Sequence, residues 1–221
     1  MELGFTPATA LVTVILLALA PFVAVMVTSF TKIVVVLSLL RNALGLQQSP
    51  PNVVLNGLAL VLTMYVMYPV GQEMMAVAPP LDAEQSVLED PDALLAAVNE
   101  AKEPLRDFLI EHADPAQTQF FFETIQRALP PERAAEMTAQ DLVVVIPSFT
   151  VSELAEAFQI GFLIFLPFLV IDLVVSNILL AMGMMMLSPT TISLPFKLLL
   201  FVVLSGWTQL AHGLVLTYGA G

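Results

Sequence analysis

The sequence predicts an all-α fold in which two long, broken hairpins of apolar helices flank a small acidic helical insert. Composition is the first observation: 58% of the 221 residues are hydrophobic, 12% are charged and the mean hydropathy is +0.89. Soluble domains are nearer half apolar and a quarter charged. Charge distribution is the second: residues 72–141 carry a net charge of −11, against +1 before them and −2 after them. Lipid or apolar protein must therefore cover much of the chain outside this acidic segment.

These differences predict three parts: an N-terminal apolar hairpin at 1–71, an acidic helical insert at 72–141, and a C-terminal apolar hairpin with a methionine loop at 142–221. The sequence contains no cysteine, which excludes a disulfide framework, a thiolate nucleophile and a zinc site with cysteine ligands. The net charge of −12, with only 7 Lys and Arg, argues against a nucleic-acid partner, because phosphate binding needs clustered basic side chains.

The N-terminal hairpin begins with the uncharged run Ala8–Phe30. At 1.5 Å per residue this run is about 35 Å long, enough to cross a hydrocarbon core of about 30 Å. Thr6-Pro7 predicts an N-cap with a proline in the first turn, and the leader before it has no basic residue, unlike a signal peptide. Gly45–Pro51 predicts a turn, after which Val53–Val70 forms the second apolar helix.

The sequence of the insert predicts short amphipathic helices. Asp90-Pro91 and Asp114-Pro115 each predict an N-cap followed by a first-turn proline. One helical face is predicted to carry Leu105, Phe108 and Leu109. A small core for the insert is predicted from Phe120, Phe121, Phe122 and Ile125.

The C-terminal hairpin is predicted to follow a capping box formed by Thr150 and Glu153. The apolar run Ile160–Leu187 is too long for one straight span, so it should bend, tilt or break. Ser188-Pro189 ends it, and Phe196–Tyr218 forms the fourth apolar run.

Basic residues predict the topology. Lys32 and Arg41 lie between the first two apolar runs, and Lys197 lies near the turn between the last two. The positive-inside rule then places both turns in the cytoplasm. The insert and both termini would face the periplasm.

No catalytic pattern is present. Neither His112 nor His212 stands in a metal-ligand spacing such as HExxH, and Asp172 is the one aspartate in a predicted span, so a pair of intramembrane aspartates is excluded. We predict that the protein is not an enzyme and needs no cofactor or metal. A small-solute transporter or channel stays open as an alternative, as does a membrane scaffold. Transporters commonly have repeated halves, and residues 1–71 and 142–221 show no convincing repeat.

The densest motif is the methionine run Met182–Met186, which holds 4 of the 11 methionines. Successive helical residues point about 100° apart, so three adjacent methionines cannot share one buried face. A loop or helix end would let them project together and form a flexible apolar constriction. Methionine also fills irregular gaps in protein cores, so a core-filling role is the alternative interpretation of this run.

Four ionisable residues lie in or beside apolar runs: Lys32, Arg41, Asp172 and Lys197. A lone charge there costs about 3 kcal/mol on insertion scales. Lys32 and Arg41 can reach the interface by snorkelling. Asp172 lies too deep in its run for that, so it either lines a wet cavity or pairs with a base, and Lys197 is the partner we predict, within or between subunits.

Several motifs resemble the FliP/SctR family, the export-gate subunit of bacterial type III secretion systems. They lie in both halves of the chain and in the family's order: Thr28–Lys32, Ser38–Gly45, Pro50–Asn52, Val151–Leu154, Ala157–Phe162, Met182–Met186 and Leu194–Lys197. The segments Ser176–Ala181 and His212–Val215 look more like the injectisome (SctR-type) branch than the flagellar branch. Ser205 stands where the family often has an acid, which puts any contact made by that acid in doubt.

This resemblance implies a ring of five copies within a ring-shaped helical gate, through which unfolded proteins leave the bacterium. It implies SctS/FliQ-type and SctT/FliR-type subunits as partners, with SctU/FlhB-type and SctV/FlhA-type subunits beside them. It carries the role of the pore gasket onto Met184, Met185 and Met186. The location implied is the bacterial inner membrane, multi-pass by hydropathy, with the assembled gate raised towards the periplasm.

Overall fold

The computed structural model describes residues 7–77, 99–184 and 186–219, which contain helices and no strand. The all-α prediction is confirmed. The N-terminal helices are α1 (Pro7–Met26), α2 (Phe30–Ala43), α3 (Asn52–Val66) and α4 (Tyr68–Val77). The insert contains α5 (Glu103–Glu111), α6 (Pro115–Ala128) and α7 (Pro131–Glu136), and the C-terminal part contains α8 (Leu142–Ala181), α9 (Pro189–Val203) and α10 (Gly206–Leu216). The N-caps predicted at Thr6 and Asp90 lie outside the described residues.

The longest of these helices, α8, organises the fold. Its 40 residues span about 60 Å, and it packs against α2, α5, α6 and α9. The approach of α2 is close: a Cβ atom added at Gly161 would overlap the Leu39 side chain. Ala157, one turn earlier on α8, is completely buried. Small residues on α8 thus allow the two helices to meet.

The predicted start of this helix is wrong. It begins at Leu142 after the N-cap residue Asp141, rather than at a capping box of Thr150 and Glu153. The Thr150 hydroxyl instead donates to the Ile146 carbonyl at 2.8 Å, and Glu153 is buried. Pro147 lies inside the helix, where it removes one backbone hydrogen bond. Apolar packing of the first turns offsets this loss, and the helix continues past the position where a local motif predicts its start.

The N-terminal hairpin is formed by α2 and α3 rather than by the predicted first run Ala8–Phe30 and the helix after it. Its core joins Ile33, Val36 and Leu37 to Leu55 and Ala59. The predicted turn is present, and Gly45 adopts a left-handed φ of +78° directly after α2. A residue without Cβ adopts this conformation at little cost.

Two apolar runs that the sequence predicts as single helices each form two helices joined at a bend. α3 and α4 meet at 51°, and α9 and α10 meet at 60°. Ser205 has a left-handed φ of 50° at the second bend, and a Cβ at the next residue, Gly206, would overlap the Phe201 ring. Ser205 therefore marks a change of chain direction.

The insert packs on α8 instead of forming a core of its own. Phe108 and Leu109 of α5 are buried against Val145 and Phe149 of α8. The Asp114 side chain accepts a hydrogen bond from the Ala116 N–H at 2.7 Å, which confirms the predicted N-cap of α6. The core predicted around the phenylalanines of α6 is wrong, since no residue of that helix is buried. The apolar surface that holds the insert therefore includes the first turns of α8.

Within the described ranges α8 is the one helix that is long and apolar enough by itself to cross a membrane. The bent pairs α3–α4 and α9–α10 also meet that criterion when each pair is taken as one span. The chain therefore has at least one candidate membrane-spanning helix.

Candidate functional site

The methionine run lies at a helix end. α8 ends at Ala181, and Gly183 follows with a left-handed φ of +71°. Backbone hydrogen bonds from Gly183 to Leu180 (3.0 Å) and from Met184 to Leu179 (2.9 Å) close the helix. We call residues 183–187 the methionine loop.

The loop methionines are exposed in the fold of one chain. Met184 is 41% exposed and Met186 is 99% exposed, while Met185 lies outside the described residues. A core-filling role for Met186 within one chain does not fit this exposure. The loop joins α8 to α9, so its two stems are the helices that must hold it in place.

A polar cluster that we call the hairpin clamp joins those stems. Lys197 of α9 donates to Asp172 Oδ2 of α8 at 2.6 Å, and Ser193 donates to Asp172 Oδ1 at 2.5 Å. Lys197 also donates to the Ala43 carbonyl at the end of α2, at 3.2 Å. Lys197 is buried, and the Asp172 side chain is 28% exposed. The clamp therefore ties three helices together, including the two that the methionine loop connects.

A second cluster, the buried lysine cluster, consists of Lys32, Glu153, Glu156 and Tyr218. Lys32 Nζ lies 2.8 Å from Glu153 Oε1 and 2.7 Å from Glu156 Oε2. Lys32 is 1% exposed and Glu153 is fully buried. The expectation that Lys32 snorkels to the interface is wrong, because it lies on the face of α2 that packs against α8.

Tyr218 closes this cluster from the chain's C-terminal segment. Its hydroxyl donates to Glu153 Oε2, and Lys32 Nζ lies 4.2 Å from the centre of its ring. Burial raises the pKa of the Tyr218 phenol, and the negative charge of Glu153 raises it further, so the hydroxyl stays protonated and remains a donor. The ring also stacks on Phe108 of the insert, with centroids 6.0 Å apart. One side chain thus contacts the N-terminal hairpin, α8 and the insert.

Arg41, the remaining predicted site residue, holds the turn between α2 and α3. Its Nη1 donates to Asn52 Oδ1 at 2.5 Å and to the Pro50 carbonyl at 3.3 Å. The structure does not bring Arg41 into either of the two clusters. Each of the four ionisable residues has polar partners. Lys32 lies in the buried lysine cluster, Asp172 and Lys197 lie in the hairpin clamp, and Arg41 lies at the turn between α2 and α3.

The model of the FliP family matches residues 12–214 of the chain. The chain belongs to the FliP family. This confirms the resemblance drawn from its motifs, and the match includes most of both hairpins and the whole insert.

Curated relatives of this FliP family member match over nearly their full length. It is 53% identical to Yop proteins translocation protein R of Yersinia pestis over 204 residues, 92% of this chain and 93% of the relative. It is 47% identical to hypersensitivity response secretion protein HrcR of Ralstonia nicotianae over 212 residues, 96% and 97% of the two chains. It is 46% identical to virulence protein YscR of Salmonella typhimurium over 207 residues, 94% of each chain.

Sequence reasoning missed several polar members of the site in this FliP family chain. Ser193 and Glu156 were not singled out, Glu153 was assigned to a capping box, and Tyr218 was placed in an apolar run. Glu153 is the one signal for the buried lysine cluster that the sequence offers. Because α8 starts at Leu142, this acid lies inside a long apolar helix, where it needs a basic partner. Tyr218 lies beyond the matched residues 12–214, so neither motif nor family match points to it. Among the described residues no group of His, Asp and Glu side chains could hold a metal ion.

Proposed function

We propose that the protein is the SctR-type core subunit of an injectisome export gate, through which unfolded proteins leave the cell. The observation that carries this proposal is the exposed methionine loop at a helix turn, in a FliP family chain whose relatives carry the names of translocation, secretion and virulence proteins. The role is that of a conduit without catalysis.

The mechanism follows from the chemistry of methionine. Several copies in a ring would bring Met184, Met185 and Met186 to one level and form an apolar constriction. Such a constriction opposes hydrated ions because it offers no polar group in place of their water. Unbranched thioether side chains change conformation readily, so the same ring can part for polypeptides of different sequence. This combination gives a gasket that closes at rest and yields to cargo.

The hairpin clamp supports this role by fixing the stems of the loop. Asp172 lies about 15 Å along α8 from the loop, and its bonds to Ser193 and Lys197 set the position of α9 relative to α8. The flexible methionine side chains need a rigidly held backbone, because they can meet at one level only if the helices on either side of the loop are fixed in position.

The partners follow from the family resemblance. We propose a ring of five copies in the bacterial inner membrane, assembled with SctS-type and SctT-type subunits and acting with SctU-type and SctV-type subunits. The insert would face the periplasm. The names of the three relatives favour the injectisome over the flagellar branch.

The absence of cysteine from the chain allows a direct test. Met186→Cys creates a single thiol in the loop, and an export substrate that carries one cysteine is stalled during secretion by a folded domain at its end. We expect a disulfide cross-link between substrate and loop under mild oxidation. Met75→Cys, at a methionine 79% exposed on α4, is the matched control and should give little cross-link. Cross-linking at position 75 but not at 186 would contradict the proposal.

A further inference from the structure

We propose that the turn between α2 and α3 binds the phosphate of an anionic phospholipid, with Arg41 as the main contact. The site is a polar cleft of about 430 Å³. It is lined by Arg41, Gln47, Gln48, Pro51 and Asn52.

The charge of Arg41 is not balanced by a carboxylate. Both acceptors of its Nη1, the Asn52 side chain and the Pro50 carbonyl, are neutral, and no acid among the described residues forms an ion pair with it. Its Nε is buried and has no hydrogen-bond partner. A guanidinium group presents five donors in a planar fork that matches a phosphate. The buried Nε is not accessible to a ligand, so what Arg41 brings to the cleft is a positive charge with no carboxylate of the described ranges beside it.

The rest of the cleft suits the same anion. Gln47 and Gln48 are exposed at its rim, and their amide groups can donate to phosphate oxygens. α3 starts at Asn52 without a side-chain cap, which leaves its first N–H groups open and the positive end of its dipole at the cleft. Charge, donors and dipole all favour a bound anion.

A lipid is the source that the surroundings favour. α3 runs from the cleft with a strongly apolar exposed face, including Val53 (76% exposed), Val61 (63%) and Met64 (73%). The α3–α4 pair is also apolar and long enough to be a bent membrane span. A phospholipid places its phosphate directly above its acyl chains, so the headgroup would fill the cleft while the chains cover α3. Free phosphate would leave that face uncovered.

The test measures lipid binding to the purified full complex by native mass spectrometry in detergent. We expect phosphatidylglycerol to bind about tenfold more tightly than phosphatidylcholine, because the choline cation of phosphatidylcholine offsets the charge of the same phosphate and is repelled by Arg41. Inorganic phosphate, added at the same concentration as the lipid, should displace little of it. Full displacement by inorganic phosphate would assign the cleft to a free anion and overturn the lipid proposal.

Variants test whether the lipid binds at Arg41 and the cleft around it. Arg41→Gln should weaken phosphatidylglycerol binding about tenfold, while Arg127→Gln, which removes an exposed guanidinium from α6, should leave it unchanged. If Arg41→Gln does not assemble, Gln48→Glu adds an opposing charge at the exposed rim without touching the contacts of Arg41, and should weaken binding about fivefold. Unchanged lipid affinity in an assembled variant would overturn the proposal. So would a cross-link from position 48 to an acidic segment of a neighbouring subunit, which would assign the cleft to a protein carboxylate.

Discussion

The two charged clusters on α8 differ in burial and in what they connect. Glu153, in the buried lysine cluster, is fully buried and joins α8 to α2 and to the C-terminal segment. Asp172, in the hairpin clamp, lies about 28 Å further along the helix, keeps 28% of its side chain exposed and joins α8 to α9. The methionine loop just beyond it is more exposed still.

The increase in exposure from Glu153 to the methionine loop indicates two structural roles along α8. The buried lysine cluster fixes the body of the fold, since an unpaired charge at that depth is expensive. The hairpin clamp fixes the stems of the loop at the partly exposed end, and the loop residues Met184 and Met186 contribute little packing within one chain. Substitutions from Glu153 towards Met186 should therefore cost progressively less assembly, while their effect on the closed pore should increase.

The largest loss is expected for Glu153→Ala. It leaves Lys32 buried with only the half-exposed Glu156 as partner, and breaking a buried ion pair costs about 3–5 kcal/mol. The yield of assembled complex should fall sharply relative to Glu136→Ala, which removes an exposed acid from α7.

A paired replacement controls for the loss of side-chain volume. Lys32→Met combined with Glu153→Leu removes both charges and keeps the space filled, so it should restore much of the yield. If Glu153→Ala costs no more than Glu136→Ala, the buried lysine cluster does not hold the fold and the comparison fails.

A smaller loss is expected for Asp172→Ala, about 2–3 kcal/mol, because the buried Lys197 keeps its bond to the Ala43 carbonyl and water can enter the partly exposed space that Asp172 leaves. Assembly should fall less than with Glu153→Ala, and the loop stems should separate. Cysteines introduced at Val174 and Ile192, which are exposed on α8 and α9 and lie outside the clamp, would report this separation by spin-label distances. Asp172→Asn, which keeps the side-chain shape, is the matched variant. Equal distances in all three proteins would show that the clamp does not position the stems.

Tyr218→Phe removes one hydroxyl and keeps the ring. The hydrogen bond to Glu153 is lost, but the ring still packs on Phe108 and faces Lys32. We expect a loss of about 1.5 kcal/mol, seen as a lower dissociation temperature of the complex. Tyr218→Ala should cost more, since it also removes the packing. A Phe variant as damaging as the Ala variant would mean that the hydroxyl contributes nearly the whole effect.

Sequence reasoning succeeded where hydropathy and helix geometry decide the outcome. It predicted the all-α fold, and the structure contains the contact between Asp172 and Lys197 that a scarcity of bases suggests. The helix end at Gly183 follows from three adjacent methionines and a glycine. These features depend on residues near one another in the chain or on the simple cost of burying charge.

The remainder depends on contacts between distant segments. Thr150 and Glu153 match a capping box, yet packing of Val145 and Phe149 on the insert starts α8 nine residues earlier. Tyr218 meets Glu153 across 65 residues of sequence, and no local pattern marks that pairing. The bend at Ser205 lies at a Ser-Gly pair, which is a turn signal, but the pair stands inside an apolar run and does not specify the 60° angle between α9 and α10. Local motifs cannot predict such features because tertiary packing overrides them.

The smallest loss of assembly is expected for the methionine loop, and it provides the most direct test of the account. Met184→Ala, Met185→Ala and Met186→Ala are combined in one variant, with Met64, Met74 and Met75 changed to alanine as the matched control. Membrane conductance of resting cells is measured together with the yield of assembled complex. We predict a clear ion leak with nearly normal yield and with export persisting or only modestly reduced, because exposed side chains contribute little to stability while the seal depends on them. Lost assembly without a leak would contradict this, because buried Met→Ala changes cost about 2–5 kcal/mol each, and the loop methionines would then be core residues.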